Sequence, residues 1–129
     1  MNAICRWMFV AGAATFVSSC SPPEIQMVVT EVGSRLRVTL VQDWGIIFSR
    51  RQTPCVREAG LYPSGADARN SAVWLIEAQG NVQCLDLASF TIGDTPKGFK
   101  QIVALSGVRK QTYSLQVRGI GGGATEVRL

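Results

Sequence analysis

Histidine is absent from the 129-residue chain. Without imidazole, the sequence cannot build the Ser-His or Cys-His pairs of nucleophilic hydrolases, nor a zinc site with histidine ligands. Paired carboxylates could still support glycoside hydrolysis. The acidic candidates are scattered, however, and none lies in a recognisable motif: Asp43, Glu77, Asp86 and Asp94. The sequence therefore predicts a protein that is not an enzyme, with no catalytic residue, no cofactor and no metal.

Charge is also scarce, and it is not concentrated. Charged residues make up 17% of the chain, the formal net charge is +4, and no long run of Lys or Arg occurs. Nucleic-acid-binding domains usually carry a dense basic patch or stripe. We therefore expect no nucleic-acid partner. The glycines of 119–123 are not followed by a helical pattern, as a phosphate-binding loop requires, so Gly121–Gly123 is predicted to be a hairpin turn.

The uncharged, mostly apolar run near the amino terminus is too short to span a bilayer. It extends from Trp7 to Val17, which is 11 residues, whereas a transmembrane helix needs about 20. Arg6 precedes the run, and small residues followed by two prolines end it. This order of a charged start, an apolar core and small residues is typical of a secretory signal peptide.

Val17-Ser18-Ser19-Cys20 resembles the lipobox of bacterial lipoproteins, which is an aliphatic residue, two small residues and a cysteine. The chemistry fits, because small residues enter a peptidase cleft and a thiolate is a strong nucleophile. The resemblance implies that residues 1–19 are removed as a helical signal peptide and that Cys20 is acylated. It also implies a lipid-anchored envelope protein. In a host with two membranes, Ser21 after the cysteine is typical of sorting to the outer membrane, facing the periplasm.

Cysteine use after processing predicts one disulfide. Of four cysteines, Cys5 is discarded with the signal peptide and Cys20 carries the lipid. Cys55 and Cys84 remain in an oxidising compartment, where two thiols most simply pair. A metal or redox pair is disfavoured because the chain has neither His nor a Cys-x-x-Cys motif. The closed loop of about 30 residues should contribute roughly 3.5 to 4 kcal/mol.

The mature chain has the size of one domain and the pattern of an all-β fold. Removing 19 residues leaves 129 − 19 = 110. We expect a tether over 20–24 and a single β domain over 25–129. Short strands separated by turn signals favour an antiparallel β-sandwich, possibly immunoglobulin-like, or a small β-barrel. The order Cys55, Trp74, Cys84 invites the immunoglobulin comparison, but the spacing departs from it. The predicted strands are Ile25–Val32, Arg35–Val41, Ser71–Gln79, Val82–Ser89, Gln101–Leu105, Thr112–Ile120 and Thr125–Leu129.

The stretch from Arg50 to Asn70 is predicted to be a long connection pinned at Cys55. Long connections in small domains often carry function, and surface loops on a rigid sheet concentrate binding residues. The predicted partner-binding residues are Arg50, Arg51, Arg57 and Tyr62. The guanidinium groups could hold carboxylates or phosphates. A solvated basic loop without a partner is the alternative.

Two functional hypotheses follow from these patterns. The first is a non-enzymatic interaction or accessory protein, held to the membrane through Cys20, that binds an envelope protein or polymer. The second is a small-ligand-binding or enzyme-inhibitor module, comparable to the small lipoproteins that inhibit lysozyme, although no motif matches them. A polar surface with one exposed loop would favour the first, and a deep apolar pocket would favour the second.

Overall fold

The computed structural model of the chain describes residues 6–8, 17–19, 21–65 and 69–129. Twelve strands and one 3₁₀ turn occur in these ranges. The strands are β1 (Arg6–Met8), β2 (Val17–Ser19), β3 (Ile25–Val32), β4 (Arg35–Asp43), β5 (Arg51–Gln52), β6 (Cys55–Pro63), β7 (Trp74–Ala78), β8 (Leu85–Asp86), β9 (Ser89–Thr91), β10 (Phe99–Val103), β11 (Thr112–Gly119) and β12 (Gly121–Arg128). The 3₁₀ turn covers Arg69–Ser71.

The expected helix of the signal peptide is not found in the residues described there. β1 and β2 are extended and pair antiparallel as a two-stranded ribbon. Cys20 and the rest of the apolar run lie outside the described residues, so cleavage and acylation remain predictions. In the described ranges, no helix is long and apolar enough to cross a membrane.

Two antiparallel sheets form the body of the protein and confirm the predicted β-sandwich. The six-stranded sheet has the order β10-β7-β6-β11-β12, and β8 also pairs with β6. The four-stranded sheet has the order β3-β4-β5, and β9 also pairs with β4. Every strand of these sheets lies between Ile25 and Arg128.

The core lies between the two sheets. In β4, Leu36, Val38 and Leu40 alternate with exposed residues and face the core, as the period of two predicts. Trp74 is fully buried in the opposite sheet and stacks on Phe90 at a ring-centroid distance of 5.8 Å. This aromatic pair joins β7 of one sheet to β9 of the other.

Tyr113 forms a tyrosine corner at the start of β11. Its hydroxyl accepts a hydrogen bond from the Arg109 backbone N–H at 3.0 Å and donates to the Arg109 carbonyl at 3.2 Å. A tyrosine that returns to backbone a few residues upstream is a hallmark of immunoglobulin-type sandwiches. Here it fixes how the chain enters β11, whose neighbours on either side are β6 and β12.

The predicted connection over Arg50–Asn70 is wrong for its central part. Cys55–Pro63 forms β6, which lies between β7 and β11 inside the six-stranded sheet. Strands covered on both faces do not show the alternation that identifies a half-buried strand. In β6, four consecutive residues from Ala59 to Tyr62 are buried, and two of them are small, so the segment resembled a loop.

The turn signal Gly80-Asn81 lies between the predicted strands Ser71–Gln79 and Val82–Ser89 and predicts that they pair as a hairpin. This prediction is also wrong. Gly80 does make a turn, with φ of +77°, but the partner that β7 takes on its outer side is β10, with Lys100 opposite Glu77. Only Leu85–Asp86 is extended within the first part of that stretch, and it pairs with β6. The disulfide explains the change, because it joins Cys84 to Cys55 at the start of β6, with a Cα–Cα distance of 5.3 Å. The predicted disulfide is thereby confirmed.

The glycines at 121–123 begin β12 and are not the predicted turn. The β11–β12 hairpin reverses at Ile120, with Gly119 opposite Gly121. A Cβ at Gly123 would overlap the carbonyl oxygen of Ile25. Glycine is needed there because β12 approaches the start of β3 closely.

Candidate functional site

The loop between β4 and β5 presents large apolar side chains to solvent. We call Trp44–Arg50 the β4–β5 loop. Ile47 is 86% exposed and Phe48 is 84% exposed, whereas Trp44 at its base is buried. Single exposed apolar residues are common on protein surfaces, whereas contiguous exposed apolar patches are typical of interaction sites.

Asp43 fixes this loop from its base. Its Oδ1 accepts hydrogen bonds from the backbone N–H groups of Gly45 at 2.9 Å and Arg50 at 2.8 Å. Its Oδ2 accepts from the Ser49 hydroxyl at 2.8 Å. The Trp44 N–H donates to the Arg50 carbonyl at 2.9 Å and closes the turn. The apolar tip is thus held by a ring of hydrogen bonds.

The same bonds lower the pKa of Asp43. The largest cause is the Arg50 backbone N–H, followed by the Gly45 N–H and the Ser49 hydroxyl. Hydrogen bonds to the ionised form of a carboxyl favour that form. Asp43 is therefore a carboxylate at neutral pH, with its charge directed into the loop.

Gln42, the neighbour of Asp43, joins the loop to the amino-terminal tether. It is the one buried polar side chain of the described residues, at 1% exposure. Its Nε2 donates to the Pro23 carbonyl at 2.7 Å and to the Ile120 carbonyl at 2.8 Å. The Ile120 N–H in turn donates to the Cys55 carbonyl at 3.0 Å.

These bonds bring four features to one end of the sandwich. The features are the tether, the β4–β5 loop, the β11–β12 turn and the disulfide, and we call this region the tether end. β3 begins here and β4 ends here, with Ile25 opposite Gln42. This grouping cannot be predicted from local sequence patterns, because Gln42 and Ile120 are 78 residues apart.

The predicted partner-binding residues separate into two groups. Arg50 and Arg51 are exposed where the β4–β5 loop ends and β5 begins, and Arg57 is exposed at a bulge in β6 near the disulfide. Tyr62 is only 2% exposed, so it offers no contact area to a partner. Ile47 and Phe48 belong to a short apolar run, Ile46-Ile47-Phe48, and the sequence does not indicate that they are exposed.

The carboxylates considered for catalysis do not converge on one site. Asp43 is bonded within its loop, and Asp94 pairs with Arg35 at 2.7 Å. In the described part of the chain, no three acidic or cysteine side chains form a group that could hold a metal ion. The structure instead places a row of charges across four strands of the large sheet, since register pairs Arg118 with Glu58, Glu58 with Glu77 and Glu77 with Lys100.

An open pocket of about 390 Å³ lies at the opposite end, where β3 turns into β4. Its lining mixes apolar side chains, including Leu36, Ile92 and Leu105, with the polar groups of Ser34, Arg35 and Gln101. The pocket is distant from the tether end, because the two occupy opposite ends of β3 and β4.

No protein-family model, no curated protein and no solved structure matches this chain.

Proposed function

We propose that this protein is a lipid-anchored, non-enzymatic interaction protein of the bacterial cell envelope, which binds another envelope component through its tether end. The lipobox-like stretch supports the anchor. The exposure of Ile47 and Phe48 on a hydrogen-bonded loop carries the assignment of the contact.

Two physical effects favour a contact at the β4–β5 loop: its apolar side chains leave water, and its backbone is already ordered. Exposed apolar side chains gain free energy when a partner removes them from water, at about 25 cal/mol per Å² of apolar surface. A loop that is already fixed loses little conformational entropy when it docks. The Asp43 hydrogen bonds fix this loop before any partner binds.

The anchor is tested by changing Cys20 to Ala. Two or more acyl chains hold a protein far more firmly than a single chain, which binds reversibly. Cys20→Ala should therefore move from the membrane fraction to the soluble fraction. If the variant still pellets with membranes after a high-salt wash, the anchor does not depend on Cys20.

The contact is tested by photo-crosslinking in intact envelopes. A crosslinker placed at Ile47 should capture an envelope component, and one at Ile102, which is exposed on β10, should capture much less. Changing Phe48 to Ser should reduce capture from position 47, whereas Val28→Ser on β3 should not. Equal capture from both crosslinker positions would show that the tether end is not the contact.

A small-ligand or inhibitor module is the second candidate, and the open pocket favours it. Its lining combines Leu36 and Leu105 with the polar groups of Ser34 and Gln101, which suits a molecule with an apolar part and a polar part. Adding purified protein to lysozyme and to envelope hydrolases tests this candidate. Inhibition that Leu105→Arg abolishes and Phe48→Ser preserves would place the function at the pocket.

A further inference from the structure

We propose that the component contacted by the β4–β5 loop is the surface of the bilayer, into which Ile47 and Phe48 insert beside the acylated Cys20. This inference rests on the proposed lipid anchor and names the partner of the same site. It gives the protein two membrane contacts, one covalent and one made by the folded domain.

The chain between Cys20 and the folded domain is short. The Pro23 carbonyl is hydrogen-bonded to Gln42, so the folded domain begins at Pro23, within the predicted tether. Only three residue steps separate Pro23 from Cys20. An extended chain covers at most about 3.6 Å per residue, which gives roughly 11 Å. With Cys20 held by its lipid, the tether end cannot move far from the headgroups.

The β4–β5 loop extends from the same end of the strands as the tether. β3 begins and β4 ends at the same end, since Ile25 pairs with Gln42. The β4–β5 loop follows directly from Asp43 and continues past that end of the strands. The nearest apolar phase to an exposed tip at this position is the acyl region of the membrane that holds Cys20.

The residue types of the β4–β5 loop suit the membrane–water interface. Amphipathic helices at membrane surfaces bury their apolar face about 5 to 10 Å into the headgroup–acyl boundary and carry basic residues on the polar face, and a loop with the same residue types can use the same forces. Ile47 and Phe48 supply the apolar part, and the exposed Arg50 and Arg51 follow at once in sequence. The Asp43 carboxylate does not oppose this arrangement, because its oxygens accept hydrogen bonds from within the loop. Glu24 is an exposed carboxylate of the tether, and its charge opposes those of Arg50 and Arg51. The apolar contact should therefore dominate the free energy of insertion, and salt should have a modest effect on it.

Quenching by brominated lipid tests the insertion. The acylated protein is reconstituted into vesicles of mixed zwitterionic and anionic phospholipid, with or without bromine on the acyl chains. Phe48→Trp places an indole at the tip, and Val32→Trp places one at the opposite end of β3, where Val32 is also exposed. The natural protein supplies the background from Trp44 and Trp74.

We expect brominated lipid to quench the Phe48→Trp signal roughly twofold or more, because an indole inserted at the headgroup–acyl boundary lies close to the brominated chains, and to leave Val32→Trp almost unchanged. Adding Arg50→Ser and Arg51→Ser to Phe48→Trp should lessen the quenching in anionic vesicles and have less effect in purely zwitterionic ones. Flotation of the same vesicles reports the anchor independently.

The two readouts separate the two proposals. Protein that floats with a quenched tip supports both. Protein that floats while Phe48→Trp is quenched no more than Val32→Trp overturns the insertion and leaves the anchor intact; the crosslinked component would then be a protein or polymer. Protein that does not float overturns the anchor, and the insertion with it.

Discussion

At the scale of single residues, the tether end depends on two polar neighbours whose partners are backbone atoms. Gln42 donates to two carbonyl groups, and Asp43 accepts from two N–H groups and one hydroxyl. Together they place an apolar tip at the same end of the sandwich as the tether. Their roles lead to two predictions.

Asp43 should make the stability of the protein depend on pH in the acidic range. Its hydrogen bonds to the Arg50 and Gly45 N–H groups hold its folded-state pKa below the usual value of an aspartate, so its contribution is complete above the unfolded-state pKa and is lost as pH falls through the folded-state pKa. Asp43→Asn, which is never ionised, should unfold at lower urea than the natural protein at neutral pH. The difference should shrink as pH falls below about 4.

The control for this experiment is Asp86→Asn, which removes an exposed carboxylate outside the loop. Urea midpoints of all three proteins would be compared across the acidic range. A difference between the natural protein and Asp43→Asn that stays constant to well below the unfolded-state pKa would contradict the role assigned to the carboxylate.

Gln42→Met should destabilise the protein by about 1 to 3 kcal/mol, because a side chain of similar length leaves two carbonyl groups without their donor. Gln26→Met on the exposed face of β3 is the matched control and should change the free energy of unfolding by less than about 0.5 kcal/mol. Denaturant unfolding measures both. Equal effects would mean that the Gln42 amide does not hold the tether.

Residues with local or chemical signals could be predicted, and residues with distant backbone partners could not. The bridge between Cys55 and Cys84 could be predicted because the lipobox resemblance assigns Cys5 and Cys20 to other roles. Gln42 carries no such signal, since its acceptors lie 19 and 78 residues away. Ile47 and Phe48 were visible as apolar residues, but their exposure depends on how Asp43 closes the loop.

At the scale of elements, the hydrophobic pattern does not identify β6, although this strand lies inside the large sheet. β6 has both faces covered, so its apolar and small residues do not alternate with polar ones. β4 shows the opposite case, and its clean alternation gave the correct strand and the correct inward face. The pairing of strands was harder to predict than their positions. β7 pairs with β10, which is not the next strand in sequence, because the chain between them is bonded through Cys84 to Cys55.

The position of β6 predicts a large effect of Leu61→Ala. Leu61 is fully buried, with Trp74 opposite it on one neighbouring strand and Leu115 on the other. Truncation should cost about 2 to 5 kcal/mol, as is usual for buried leucines. Leu105→Ala, at a half-exposed leucine, should cost much less. Similar effects of the two changes on unfolding would be inconsistent with β6 as a core strand.

The disulfide should contribute strongly to the same element. Cys55 and Cys84 are separated by 29 residues, and closing a loop of that length contributes roughly 3.5 to 4 kcal/mol. Changing both cysteines to Ala should lower stability by this order, and the thiols of the natural folded protein should resist alkylation until they are reduced. Rapid labelling of the untreated protein would contradict the bridge.

At the scale of the whole molecule, the sandwich has two ends with different chemistry. The tether end carries the apolar loop, and the opposite end carries an open pocket. The all-β sandwich could be predicted because short strands and turn signals recur from Ile25 to the end of the sequence. The difference between the two ends could not be predicted, since it arises from strand order and from hydrogen bonds between residues far apart in sequence.

Under the proposed lipid anchor, the difference between the two ends defines an orientation, with the tether end on the membrane and the pocket facing away from it. Proteins reconstituted on vesicles should therefore expose the pocket end to soluble reagents. A thiol-reactive probe would label a cysteine introduced at Val32 faster than one introduced at Ile47, although the latter side chain is more exposed in the free domain. The reverse order of rates on vesicles would contradict the orientation.

The central claim is that Cys20 is the acylated first residue of the mature protein. Intact-mass spectrometry of the protein extracted from membranes tests it most directly. The account predicts a chain that begins at Cys20, carries the added mass of a diacylglyceryl group and a further acyl chain, and lacks two hydrogens for the bridge between Cys55 and Cys84. A chain that still contains residues 1–19, or one that starts elsewhere without lipid, would contradict it.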